Sequence, residues 1–316
     1  MYCGAMSSLR PEILQLPYVG RGKTHFSLPI ISVITPNFNH GHYLNDTLVG
    51  VNRQTYQNIE HIVIDGGSAD NTIEILQKFP DIIWVSEPDK GVLDAFLKGL
   101  RIATGKYIMI CPSSDMYIDT GWIENCVEVM EKDSKLSLVW GGVATANING
   151  EVTEKHSWPG LKREVPSGIE MFSYWLATSV NLPETNYCIR REVLESCLSE
   201  MDIPDNEYES NEDINLLLQF RFHSQGYLAQ YLPRTANFVR VHHDQRTLAW
   251  QSSGLFDRKM ATYANWHKDY RKQLLTGQKT HVFRDSNGEI IRVVSWLQLL
   301  GSIWKQKLRI ILKGQI

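Results

Sequence analysis

The chain has 316 residues, of which 43% are hydrophobic and 21% are charged, with a formal net charge of -3 at pH 7. That length allows one large α/β domain with additions or two small domains, and the charge gives no reason to expect nucleic acid as a partner. No run of about 18 apolar residues is present to span a bilayer. Because a signal-peptide pattern is also absent, we expect a cytoplasmic protein, with any membrane contact at the inner face of the plasma membrane.

The cysteines are scattered without CxxC pairs, and their number is odd, which does not describe a disulfide framework. We expect them to be reduced and mostly buried. They are Cys3, Cys111, Cys126, Cys188 and Cys197.

Short apolar runs alternate with segments of helical spacing once a loosely ordered leader, predicted for residues 1–28, has ended. Leu44, Leu48 and Val51, for example, would share one face of a helix. The alternation predicts parallel strands joined by helices, in a Rossmann-like α/β fold with a mostly parallel central sheet. The predicted strands are residues 30–34, 61–64, 82–85 and 107–111.

Ligands of open α/β sheets bind outside the carboxyl ends of the strands, and carboxylates follow three of these predicted strands. They are Asp65, Glu87, Asp89 and Asp115. Such a cluster suits a hard cation held against a diphosphate. Neither GxxxxGK[ST] nor GxGxxG follows the first strand, which argues against a P-loop enzyme and a dinucleotide dehydrogenase.

The second half of the chain departs from this alternation. A fifth apolar run at 136–143 precedes a segment rich in Trp, Pro and Ser at about 150–184, where we expect acceptor-side structure. Residues 211–223 then predict a helix, and 231–241 a late strand that ends at a pair of histidines.

Several sequence blocks, in order, resemble the family 2 glycosyltransferases of the GT-A fold. The blocks are SVITPNFN at 32–39, QTY at 54–56, IVIDGGSAD at 62–70 and the segment 86–105. With later matches, the resemblance covers about residues 29–245. It implies an inverting enzyme of glycan or polysaccharide biosynthesis that moves a sugar from a nucleoside diphosphate, expected to be UDP, to an acceptor hydroxyl.

The resemblance also assigns the nucleotide contacts. Asp65 would contact the base, Thr35, Pro36 and Asn39 would line the base and ribose, and Asp94 and Lys98 would lie near the diphosphate. Two alternatives stay open: Asp65 as a turn residue that bonds the adjacent Gly-Gly backbone, and Asp94 with Lys98 as a solvated i, i+4 pair.

A metal site is implied by Ser113-Ser114-Asp115, which stands where the family commonly has an Asp-Asp pair. Asp115 would bind Mn²⁺ or Mg²⁺, while Ser114 loses a contact to the sugar or ribose, with weaker metal dependence or altered donor choice as the alternative. Residues 238–242 resemble a family segment that approaches the diphosphate or the metal, and His242 is our candidate there. Asp115 as a helix cap and His242 as a structural histidine are the competing interpretations.

The catalytic base implied by the resemblance is Asp213, in the segment Asn211-Glu212-Asp213. A single displacement at the anomeric carbon needs a carboxylate near the acceptor hydroxyl, opposite the leaving diphosphate. Alternatively, both acids simply favour a helix N-terminus. Arg190 and Arg191 resemble a segment that shapes the acceptor cleft, with solvated charges as the alternative.

The segment 291–316 combines Trp, Leu and Ile with five cations and no acid. It predicts a basic amphipathic helix on an anionic membrane, as suits a lipid-linked acceptor, with contact through residues 293–316. Alternatively, its apolar face packs on the catalytic domain or on a second subunit.

The predicted organisation is a leader at 1–28, a catalytic domain at 29–245 and a C-terminal helical extension at 246–316. Within the domain, residues 29–145 would bind the nucleotide-sugar and 146–245 the acceptor. Two other functions remain: a non-catalytic nucleotide-sugar binder or assembly partner, given Ser114, and a sugar-nucleotide pyrophosphorylase. The latter normally has a Gly-rich basic loop after the first strand, and residues 35–39 are not one.

Overall fold

A nine-stranded mixed sheet flanked by helices forms the centre of the computed structural model, which describes residues 28–156, 169–179, 182, 185–199 and 214–312. The strands are β1 (Ile31–Asn37), β2 (Ile59–Asp65), β3 (Ile83–Ser86), β4 (Tyr107–Ile110), β5 (Met116–Tyr117), β6 (Leu136–Ala146), β7 (Val152–His156), β8 (Cys188–Arg190), β9 (Leu228–Arg240), β10 (His281–Arg284) and β11 (Ile290–Val294). The helices are α1 (Gly41–Asn52), α2 (Thr72–Leu76), α3 (Val92–Ile102), α4 (Trp122–Lys132), α5 (Ile169–Thr178), α6 (Arg191–Leu198), α7 (Ile214–Gln225), α8 (Arg246–Ser252), α9 (Leu255–Leu275) and α10 (Trp296–Leu312).

The four strands predicted in the first half are confirmed, and they pair in parallel in the order β3-β2-β1-β4. Helices cover both faces of this part of the sheet, so its strands are buried on both sides and read as unbroken apolar runs. The register aligns Asn37 with Asp65 and Asp65 with Ser86. Polar ends of three strands therefore lie side by side at one edge.

The sheet changes direction beyond β4, where β8 pairs antiparallel with both β4 and β6. Strand β9 then runs parallel to β6 and pairs antiparallel with the short β5, with Phe238 opposite Met116. Because β5 follows Asp115 directly, this pairing brings the end of β9 beside that carboxylate. The late strand predicted at 231–241 is thus confirmed, although it begins at Leu228.

The region after residue 245 contains an antiparallel hairpin, β10 with β11, in addition to helices α8, α9 and α10. The helix predicted from residue 291 is wrong at its start, since residues 291–294 belong to β11. The β-branched run Ile290-Ile291-Arg292-Val293-Val294 favours a strand, and a turn closed by Asp285 Oδ1, which accepts from the backbone of Asn287 and Glu289, reverses the chain.

Trp175 of α5 joins this C-terminal region to the sheet. Its buried ring stacks on His223 at 4.8 Å between centroids, and its Nε1 donates a 2.8 Å hydrogen bond to Tyr263 Oη of α9. Phe283 of β10 and Ile303 of α10 are buried in the same cluster. The C-terminal elements thus share a core with the sheet.

Four of the cysteines, Cys111, Cys126, Cys188 and Cys197, are free and buried, as predicted, and Cys3 lies outside the described residues. Residues 1–27 of the predicted leader and residues 211–213 of the predicted helix at 211–223 also lie outside them. No helix in the described ranges is long and apolar enough to cross a membrane.

Acid should destabilise the fold through two buried histidines, His223, which stacks on Trp175, and His281, which stacks on Phe172. Burial lowers the pKa of His223 and of His281 to about 3, whereas a histidine in an unfolded chain titrates near about 6.5. Between these values the unfolded chain binds more protons. The free energy of unfolding is therefore largest above about pH 6.5 and falls as the pH drops, by up to about 1.4 kcal/mol per pH unit for each histidine.

His223→Phe should keep the stack on Trp175 and remove one of these protonation sites. Its melting temperature, followed by circular dichroism from pH 7.5 to 4.5, should fall less steeply than that of the wild type. His243→Gln, at an exposed histidine, serves as the control and should follow the wild type. Equal slopes for His223→Phe and the wild type would contradict the assignment.

Candidate active site

Asp65 clamps the ends of β1, β2 and β3 together. It is fully buried, and its oxygens accept hydrogen bonds from Asn37 Nδ2 at 2.7 Å, from Ser86 Oγ at 2.6 Å and from both the hydroxyl and the backbone N–H of Ser68. The carboxylate thus fixes the positions of the residues that surround the predicted base pocket. Its contact with a nucleotide base stays a prediction.

The other predicted base and ribose contacts differ in exposure. Thr35 and Pro36 are buried, and Thr35 Oγ1 lies 2.8 Å from His61 Nε2 inside the sheet. Asn39 is exposed and left-handed, with φ 52°, and its Oδ1 accepts a hydrogen bond from Ala69 N–H. Of these three residues, Asn39 is therefore the one that faces solvent.

Asp94 and Lys98 form the i, i+4 pair considered from the sequence. Lys98 Nζ lies 3.4 Å from Asp94, 2.9 Å from Glu87 and 2.9 Å from the carbonyl of Pro88. The lysine therefore ties the start of α3 to the loop after β3, at the carboxyl edge of the sheet. This is the edge at which the sequence predicts the diphosphate, so a contact between Lys98 and the diphosphate stays a prediction.

Asp115 is the most unusual carboxylate at this edge. It is 3% exposed, and burial raises its pKa to about 7. Its Oδ1 accepts from the backbone N–H of Arg240 at 3.3 Å and from Ser114 Oγ at 3.5 Å, both long hydrogen bonds. A buried carboxylate with such weak donors is a favourable ligand for a cation. The helix-cap alternative is wrong, because strand β5 follows Asp115 directly.

His242 lies just beyond β9 and is 4% exposed, whereas the neighbouring His243 is exposed and pairs with Asp244. The His242 ring packs 5.0 Å from that of His40, and its Nδ1 is buried without a hydrogen-bond partner. Burial lowers the pKa of His242 to about 4, so the imidazole is neutral at pH 7, as metal binding requires.

His40 connects the two predicted metal ligands. Its Nδ1 lies 3.3 Å from Ser113 Oγ, in the turn that carries Asp115, while its ring packs against His242. The structure therefore brings Asp115 and His242 to one corner. Their chemistry fits a divalent ion, with the remaining ligands supplied by water or phosphate oxygens. Within the ranges the structure describes, no group of three or more His, Cys, Asp or Glu residues could hold a metal by itself.

Arg240 was missed as a site residue, although it lies two positions before His242. Its guanidinium is 1% exposed and donates to the carbonyls of Ser114, at 3.0 Å, and Ile148, at 2.8 Å, and to the Asp46 carboxylate at 2.5 Å. A basic residue inside an apolar strand end was the signal that could have identified it.

Arg190 and Arg191 do not shape this edge, so the prediction that they form the acceptor cleft is wrong. Arg190 is buried and donates to the carbonyls of Leu136 and Met130, and Arg191 donates to that of Gly105. These bonds lie near the start of β4, at the opposite edge of the sheet. Asp213, the predicted base, lies outside the described residues, directly before α7.

Comparison with known proteins finds one matching family. The family described as Glycosyl transferase family 2 matches residues 32–198, which is more than half of the chain. An uncharacterised glycosyltransferase of Mycobacterium tuberculosis (strain CDC 1551 / Oshkosh) is 36% identical over 118 residues, which are 36% of this chain and 45% of that protein. The chain thus spans less than half the length of this relative.

Two solved structures share the fold. Residues 1–349 of TarS from S. aureus, in complex with UDP-GlcNAc, match with a TM-score of 0.50 and 14% identity, over 70% of this chain and 61% of that one. The mannosyltransferase PcManGT from Pyrobaculum calidifontis, in complex with GDP-Man and Mn²⁺, matches with a TM-score of 0.53 and 16% identity, over 80% and 69%.

A cation held by Asp115 should stabilise the folded protein, because a ligand that binds the native state raises the free energy of unfolding. We expect MnCl₂ to raise the melting temperature of the wild type, by about 2–4 °C for each kcal/mol of binding. Asp115→Asn should lose most of this rise. Asp81→Asn, an exposed carboxylate before β3, is the matched control and should keep it. An undiminished rise in Asp115→Asn would place the cation elsewhere.

Proposed function

The chain belongs to glycosyl transferase family 2 and has the GT-A fold. We propose that it is a glycosyltransferase that transfers a sugar from UDP to a glycan or lipid-linked hydroxyl with inversion. The observation that carries the proposal is that Asp115, with only long hydrogen bonds to its carboxylate, accepts from the backbone of Arg240, two residues before His242, whose Nδ1 is buried without a partner. The nucleotide-sugar complexes of the two structural neighbours agree with a nucleotide donor. UDP in particular, and glycan or polysaccharide biosynthesis, are part of the proposal.

The donor would lie along the carboxyl edge of β1 to β4. Asn39 would contact the base or ribose above the residues that Asp65 fixes in position, and the Lys98 ammonium would attract the diphosphate. Asp115 and His242 would hold Mn²⁺ or Mg²⁺, which when bound neutralises the departing diphosphate. Ser114 would leave the sugar with one contact fewer than the acid it replaces.

Asp213 is the proposed base, and its role follows from the chemistry of a single displacement. The carboxylate takes the proton from the acceptor hydroxyl while that oxygen attacks the anomeric carbon, and the bond from this carbon to the diphosphate oxygen breaks. The electron pair of that bond leaves with the UDP. The configuration at the anomeric carbon therefore inverts.

The second candidate function is a non-catalytic nucleotide-sugar binder, and Ser114 favours it. Its hydroxyl, 3.5 Å from Asp115, cannot act as a second acidic ligand. Such a protein would bind one donor but release no UDP with any acceptor. A pyrophosphorylase has less support, since residues 35–39 offer no Gly-rich basic loop.

The test is UDP release from a panel of UDP-sugars with oligosaccharide and lipid-linked acceptors, in the presence of Mn²⁺ or a chelator. We expect one donor to turn over with Mn²⁺ only. Asp213→Asn should lose about 10²–10⁴-fold in kcat and still bind the donor, and Asp115→Ala should lose turnover in Mn²⁺. Glu212→Gln and Asp81→Asn are the matched controls and should keep most of the activity.

Several results would overturn parts of this proposal. Turnover that survives in Asp213→Asn would require another base, and a product with retained configuration, read from its anomeric NMR coupling, would exclude the single displacement. Donor binding without turnover across the whole panel would favour the non-catalytic binder.

A further inference from the structure

Helix α10 is attached to the rest of the protein by one narrow face. Leu299, Ile303 and Gln306 recur at helical spacing and are each at most 4% exposed. Leu299 and Ile303 belong to the core cluster that contains Trp175. Packing on the rest of the protein is one of the alternatives for this segment. It accounts for part of the apolar surface of α10.

A second apolar face of α10 points to solvent. Trp296, Leu297, Trp304 and Leu308 are between 43% and 63% exposed, and their spacing places them in one stripe beside the packed face. Val293, at the end of the adjoining strand β11, is 58% exposed. We call these five residues the C-terminal stripe. A stripe of this size, with two tryptophans, marks an interaction surface.

The charges in the sequence of the segment that carries the stripe indicate its occupant. Between residues 290 and 316 the sequence has five cations, Arg292, Lys305, Lys307, Arg309 and Lys313, and no acid. From outside this segment, Glu170 of α5 pairs with Lys305 at 3.3 Å. A second copy of the chain would bring like charges together across the stripe, whereas a surface of anionic lipid headgroups is complementary to it.

We propose that the C-terminal stripe docks the protein on an anionic lipid bilayer, with α10 lying in the headgroup layer and its packed face fixed to the core around Trp175. Trp and Leu side chains on such a helix insert at the boundary of the acyl chains, and the cations bind the headgroups. The proposal does not depend on which sugar is transferred. It also differs from a membrane-spanning anchor, since α10 would stay on one side.

The test is flotation of the full-length protein with phosphatidylcholine vesicles that contain or lack phosphatidylserine. We expect binding to the phosphatidylserine vesicles that weakens with added salt. Leu297→Gln with Trp304→Gln should abolish this binding, and Arg292→Gln with Lys307→Gln should weaken it about fivefold for each cation. Deleting the whole helix would be a poorer test, because it also removes Leu299 and Ile303 from the core.

The matched control is Val152→Gln with Leu248→Gln, two exposed apolar residues outside the stripe, which should float like the wild type. Every variant should have the melting temperature of the wild type. In the absence of vesicles, every variant should also release UDP at the wild-type rate. Vesicle binding that survives Leu297→Gln with Trp304→Gln would overturn the proposal. So would a dimer in solution, seen by light scattering, that the same pair of substitutions dissociates, because the stripe would then be covered by a second copy.

Discussion

The arrangement of the site depends on the hydrogen bonds that the buried guanidinium of Arg240 donates. A charge taken out of water is costly unless every donor finds an acceptor, and removal of one partner typically costs about 3–5 kcal/mol. Each of the three guanidinium nitrogens of Arg240 donates one hydrogen bond, to the carbonyls of Ser114 and Ile148 and to the carboxylate of Asp46. Arg240 thereby fixes α1, the turn that carries Asp115 and the loop between β6 and β7 to the end of β9. His242, two residues further on, takes its position from the same contacts.

The charge balance in this corner explains why a cation suits it. Burial disfavours both the ionised carboxylate of Asp115 and the protonated ring of His242, so each of them is shifted towards its neutral form. The guanidinium of Arg240 has its nearest carboxylate partner in Asp46 and does not form an ion pair with Asp115. A divalent ion would add positive charge beside Asp115 to that of Arg240 and would give the unpartnered nitrogen of His242 a ligand position.

The sequence was sufficient to predict the parallel half of the sheet and the edge at which the polar residues gather. Strands buried on both faces are continuous apolar runs, and Asp65 lies at the end of one such run while Asp115 lies in the turn after another. What could not be predicted depends on pairings between distant segments. Arg240 reaches Asp46, 194 residues earlier, and Arg190 was misassigned because its carbonyl partners lie in α4 and β6. The hairpin of β10 and β11 was missed because its short apolar run was read with the period of the helix that follows.

Helix α10 packs directly on the core that it shares with the central sheet. Its packed face is part of the core around Trp175, and a single residue, Ser295, separates the helix from β11. A protein held on a surface through such a helix is oriented as well as concentrated there. The height and tilt of the cleft above that surface would be set by the packing of Leu299 and Ile303. The enzyme would then select an acceptor hydroxyl by its distance from the lipid plane. The position of the helix would therefore set the length of acceptor that reaches the site.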